Sequence, residues 1–167
     1  MVDNNKILDI NALLNNEVRE VSFNVEIDLC ADGVAFTRPA TMNGKAVNMA
    51  SYIEFTSSID YFYSTACSRC LKQLQRNLHL ELNFPVAVSL ENDDEADEYI
   101  IPQNGKINLQ EICEENFILN LPIRELCSED CKGLCPRCGA DLNVSGCSCP
   151  KKDVDIRLQG LADFFKD

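Results

Sequence analysis

Six of this chain's ten cysteines fall within 23 residues, "CSEDCKGLCPRCGADLNVSGCSC" at 127–149, and no other feature constrains the fold as much. Thiols at that density are held either by disulfides or by metal, and the compartment decides between them. The opening "MVDNNKILDI" has no basic region followed by an apolar run. The apolar stretches also fall short of the roughly 18 to 20 residues of a membrane span. The expected location is therefore the cytoplasm, with no membrane association, where reduced thiols point to metal or redox chemistry.

Eight cysteines form close pairs: Cys67 and Cys70, Cys127 and Cys131, Cys135 and Cys138, Cys147 and Cys149. Structural zinc takes four ligands in a tetrahedron, and a C-x-x-C turn presents two thiolates from one tight loop, so eight thiolates make two structural zinc ions. In "CPRCG", Gly139 can take the turn conformation that leaves backbone amides free to face sulfur. Four pairs divide into two sites in three ways. The preferred division is one local site, Cys135, Cys138, Cys147 and Cys149, and one long-range site, Cys67 and Cys70 with Cys127 and Cys131. The long-range site would staple a strand end to the start of the cysteine-rich module. Cys30 and Cys113 are expected to be small buried hydrophobes outside both sites.

Upstream of the cluster the pattern has period two. Val21, Phe23, Val25, Ile27 and Leu29 alternate with Ser22, Asn24, Glu26 and Asp28, and "LQRNLHLELNF" alternates again after Cys70. Aromatic and β-branched residues at 41–66, with Asn43-Gly44 as a turn signal, favour an antiparallel hairpin or meander. Leu13 and Leu14 lie in a short helical pattern that Asp9 or Asn11 could cap. Leu109, Ile112, Cys113, Phe117 and Leu121 recur at helical spacing, predicting a helix over about 107–121 that Pro122 ends. The fold class is therefore α+β: an antiparallel β-sheet or barrel-like core with packed helices and a small C-terminal zinc module. The expected organisation is a core domain at 1–126, the cysteine-rich module at 127–152 and a C-terminal helix or tail at 153–167. "ENDDEADE" at 91–98 reads as a solvated acidic loop.

A formal charge of -12 excludes a surface that grips nucleic acid everywhere. The acidity nevertheless avoids the cysteines. Arg69, Lys72 and Arg76 flank the first pair, and Lys132, Arg137, Lys151 and Lys152 flank the others. These cations offset thiolate charge, and they are also the candidate contacts for RNA phosphate or a partner. The single histidine, His79, falls on a strand's polar face, and there is no glycine-rich phosphate loop, nucleophile elbow or carboxylate-histidine metal motif. No catalytic residue and no small-molecule substrate are expected.

"CSRCL" after a β region, then "INLQEICEENFILNLP", "LCSEDCKGLCPRCGADLN" with "CSC", and a terminal "VDIRLQGLADFF" together resemble the YceD family of large ribosomal RNA subunit accumulation proteins. The resemblance implies a small bacterial or plastid protein needed for normal accumulation of large-subunit (23S) rRNA, with no catalytic residues to transfer. Ile156 stands between Asp155 and Arg157 where the family commonly has proline. The distal cysteines are not universal in the family, which implies a stabilising role. The expected function is a non-enzymatic ribosome-biogenesis factor that binds a pre-ribosomal particle, rRNA or ribosomal proteins. Two alternatives stand beside it: a thiol redox enzyme or sensor cycling Cys67 and Cys70, and a zinc-dependent RNA-binding module.

Overall fold

The computed structural model describes residues 6–50, 52–87, 98–144 and 146–149. Lys151, Lys152, the expected C-terminal helix and all of the acidic loop except Glu98 lie outside the described residues. The described chain is mostly antiparallel β-sheet with two short helices.

The larger sheet is built from β2 (Glu20–Ile27), β3 (Ala35–Phe36), β4 (Ala40–Asn48), β5 (Ile53–Ala66) and β6 (Gln73–Val86). β5 pairs with β6 along all 14 of its residues. Its other edge is shared by β4, which pairs with Ile53–Asp60, and by β3, which pairs with Tyr63 and Ser64. β2 completes the sheet beside β4. The alternation read from sequence sets which face is buried: on the central β5, Ile53, Phe55, Ser57, Ile59, Tyr61 and Tyr63 all point into the core. Phe23 stacks on Phe55 with ring centroids 5.5 Å apart.

A two-stranded sheet of β1 (Ile7–Asp9) and β7 (Lys106–Asn108) leads into the helices α1 (Asn11–Leu14) and α2 (Leu109–Asn120). Asp9 Oδ1 accepts the first amide of α1 from Asn11 at 2.9 Å. Asn108 caps α2, its Oδ1 accepting from the amides of Gln110 and Glu111. Leu109, Cys113 and Phe117 form the buried stripe of α2. Phe117 packs among Phe36, Tyr61 and Tyr63, with centroids 4.8, 5.1 and 5.4 Å away. Tyr61 Oη donates to the Cys113 carbonyl at 2.9 Å, so the phenol is buried with its polar end satisfied. Burial pushes its pKa well up, which keeps it a donor.

Asn43-Gly44 is not a turn: it lies inside β4, opposite Phe23 of β2 and Ser57 of β5. Glycine is needed there for close approach, because a Cβ would collide with the Thr56 carbonyl oxygen and lie 2.7 Å from Ser57 Cα. The chain instead reverses after Asn48, whose Oδ1 accepts the Ala50 amide at 2.8 Å. Cys30 is exposed rather than buried, since β2 ends at Ile27 and the chain has left the sheet. Cys113 is buried as expected.

Candidate metal centres

The β5–β6 hairpin ends in a C-x-x-C turn. Cys67 follows the last residue of β5, and Cys70 comes three residues before β6 starts at Gln73. Beyond α2 the chain returns to this turn and places Cys127 and Cys131 against it. The sulfurs of Cys67, Cys70, Cys127 and Cys131 all lie within 4.8 Å of one another, and so do those of Cys135, Cys138, Cys147 and Cys149. This is the local and long-range grouping preferred from sequence. A tetrahedron with metal–sulfur bonds of about 2.3 Å has sulfur–sulfur edges of about 3.8 Å. Cys67 and Cys131 are 3.8 Å apart, Cys70 and Cys127 3.6 Å, and Cys135 and Cys147 3.3 Å. These separations are far longer than a disulfide bond of about 2.0 Å. Each group could therefore hold one metal ion.

Both knuckles share one turn. The Leu71 amide donates to the Cys67 carbonyl and the Gly139 amide to the Cys135 carbonyl, each at 2.9 Å, and both residues have positive φ, 60° and 70°. That turn aims the intervening amides at the first sulfur. Backbone amides of Cys70 and Arg69 hold the Cys67 thiol down to about 6, and those of Cys138 and Arg137 do the same for Cys135. The neighbouring thiols move the other way: contact with the Cys131 and Cys70 thiols pushes Cys127 up to about 12, and the thiols of Cys147 and Cys138 push Cys149 up to about 12. Adjacent thiolates repel, and a divalent cation removes that repulsion while displacing their protons.

The first group is a second small core. Cys67, Cys70 and Cys131 are buried with Leu74, and Leu126 and Leu134 pack against them. Glu125 locks this core to the sheet. Its carboxylate accepts from Tyr63 Oη at 2.8 Å and from Arg76 Nε at 2.9 Å, and its carbonyl accepts the Ser68 amide at 2.8 Å. Arg76 Nη2 also donates to the Leu126 carbonyl at 2.7 Å. Arg69 reaches across the group and donates to the carbonyls of Glu129 (3.2 Å) and Cys131 (2.8 Å). Two of the cations flagged from sequence thus brace the ligand loops. Lys72, Lys132 and Arg137 are exposed. His79 lies away on the outer face of β6, 2.7 Å from Asp60.

Sequence reasoning did not single out Glu125, Tyr63 or Asn143. Glu125 meets Tyr63 and Arg76 from 62 and 49 residues away, and the Asn143 side chain, besides its local bonds to Asp141, reaches a sulfur of the other cysteine group, a contact that only the fold creates.

Residues 56–165, which run from β5 through both cysteine groups, match the family model for the large ribosomal RNA subunit accumulation protein YceD. The chain belongs to the YceD family. Among relatives, the protein YlbN of Bacillus subtilis (strain 168) is 25% identical over 154 residues, spanning 92% of this chain and 80% of YlbN. ML1660 of Mycobacterium leprae (strain TN) is 29% identical over 83 residues, 47% of this chain and 37% of that protein. The chloroplastic large ribosomal RNA subunit accumulation protein YCED homolog 1 of Arabidopsis thaliana is 32% identical over 54 residues, 32% of this chain and 17% of its own length. No solved structure matches. No helix among the described residues is long and apolar enough to cross a membrane.

Proposed function

We propose that this YceD-family chain is a non-enzymatic, cytoplasmic factor that supports accumulation of large-subunit (23S) rRNA by binding a pre-ribosomal particle through its cysteine-rich end. Membership in a family named for that accumulation carries the reading. Zinc is the metal proposed for both groups, since four thiolates in a tetrahedron are its common structural ligand set, and such a set leaves no open coordination position for a reacting water. In this reading the eight thiolates are structural ligands: one ion staples the β5–β6 hairpin to the chain beyond α2, and the other closes the loop that follows. The domain division is read accordingly, with a sheet core up to residue 126 and a metal-organised module from 127 to 152.

The exposed Lys72, Lys132 and Arg137 are the proposed contacts to rRNA phosphate, and Lys151 and Lys152 join them on sequence grounds. Arg69 and Arg76 contribute by holding the ligand loops. The acidic remainder of the chain suits basic ribosomal proteins. Depleting the protein from growing cells should lower 23S rRNA relative to small-subunit rRNA, and an unchanged ratio contradicts the assignment.

The redox alternative requires two accessible thiols that close on each other. Cys67 is 0% exposed and its sulfur faces three others, which weighs against that alternative.

A further inference from the structure

The loop that connects the halves of the second cysteine group also touches the first. Asn143 lies between Cys138 and Cys147 in the chain, yet its Nδ2 donates to the sulfur of Cys131 at 3.5 Å. The rest of the side chain is committed to the same place. Its Oδ1 accepts the Lys132 amide at 2.7 Å, while Nδ2 also reaches Asp141 Oδ1 at 2.7 Å. The surrounding backbone carries the linkage further. The Leu142 amide donates to the Gly133 carbonyl at 2.9 Å, and Leu134 pairs with Asp141 as an isolated bridge. The Leu134 amide donates to the carbonyl of Arg69, inside the first knuckle, at 3.1 Å. Gly133 permits this approach: its φ is 73°, and a Cβ there would lie 2.9 Å from the Arg69 carbonyl oxygen.

We propose that Asn143 is a positioning residue that couples the two thiolate sites, so that closing the 135–149 site preorganises the 67–131 site for metal. The inference rests on reading both groups as metal sites. Its physical basis is the hydrogen bond to a ligand sulfur. An N–H facing a thiolate stabilises its charge and fixes its direction, and outer-shell partners of this kind govern metal affinity. The donor is mounted on a loop whose two ends are ligands of the other site, so its position depends on that site being closed. Linkage makes the effect reciprocal, with loading of either site tightening the other by the same factor.

The test is a double-mutant cycle on the full chain, with zinc as the probe and chelator competition as the readout. Cys138→Ser with Cys149→Ser disables the second site. With Asn143 in place, this should weaken zinc binding at the first site about 10- to 100-fold. In an Asn143→Ala background the same disabling should change the first site by less than about twofold. Asn143→Asp retains the acceptor for the Lys132 amide, but it loses the donor to sulfur and sets a carboxylate against Asp141 and the thiolates, so it should abolish the coupling and weaken the first site below Asn143→Ala. A sulfur that loses a hydrogen bond also gives up electrons more easily. The thiolate-to-cobalt charge-transfer band of the cobalt-loaded chain should therefore move to lower energy in Asn143→Ala, a shift that loss of loop packing alone would not produce. Coupling that persists in both Asn143 variants, or a first site indifferent to the second, overturns the proposal while leaving two metal sites. A chain in which neither group takes up zinc overturns the metal reading together with it.

Discussion

Leu71 occupies the position in the first knuckle that Gly139 occupies in the second, with the same 2.9 Å amide-to-carbonyl bond and nearly the same positive φ. A leucine there carries left-handed strain, and at 62% exposed it recovers little by burial. Comparing Leu71→Ala with Leu71→Gly isolates that strain, because both variants lose the same packing. The left-handed conformation costs a residue with a Cβ about 1–2 kcal/mol. Glycine avoids this cost but loses about 0.5–1 kcal/mol more conformational freedom on folding. At the midpoints of those ranges the difference leaves Leu71→Gly more stable than Leu71→Ala by about 0.7 kcal/mol, whereas at an ordinary exposed position the order is the reverse. Urea unfolding at a fixed excess of zinc, followed by circular dichroism, measures the gap directly. An alanine variant as stable as the glycine variant, or more so, would show that the knuckle does not hold residue 71 at positive φ and would refute the shared-turn argument.

Three further outcomes follow from the geometry. Gly44→Ala should destabilise the sheet by about 3 kcal/mol, the upper range for overpacking, because the clash is with backbone on the paired strand; a shift under about 1 kcal/mol in thermal unfolding would contradict it. Glu125→Ala should cost about 1–3 kcal/mol, since it strips Tyr63 Oη and Arg76 Nε of their acceptor. It should also speed chelator extraction of metal from the first site more than from the second. Acidification should release metal and its stabilisation together. Protons compete for thiolates, so metal-linked stability is present at higher pH and lost as pH falls, most steeply below about 6, where the amide-stabilised Cys67 and Cys135 also protonate. A zinc-responsive dye reads the release.

The parts of this structure legible in the sequence are those with a local signal. Period-two alternation marked the buried faces of β2 and β6, and the spacing of Leu109, Cys113 and Phe117 marked α2. The count of close cysteine pairs forced a partner for Cys67 and Cys70 from far along the chain. Asn43-Gly44 misled because the same dipeptide serves a tight turn and a strand position where a neighbouring backbone approaches closely. Only the cross-strand partners Phe23 and Ser57 distinguish the two. Cys30 misled because continuing the alternation beyond Ile27 assumes a strand that has already ended. The Tyr63, Arg76 and Glu125 lock and the Asn143 contact were invisible, since each depends on residues that only the fold brings together.

Native mass spectrometry of the full chain, purified without chelator and under reducing conditions, counts the metal ions that the two cysteine groups hold. Two zinc ions per chain are expected, both lost on mild acidification. A metal-free chain, or one whose mass shows paired disulfides instead, would contradict the reading of both groups as metal sites.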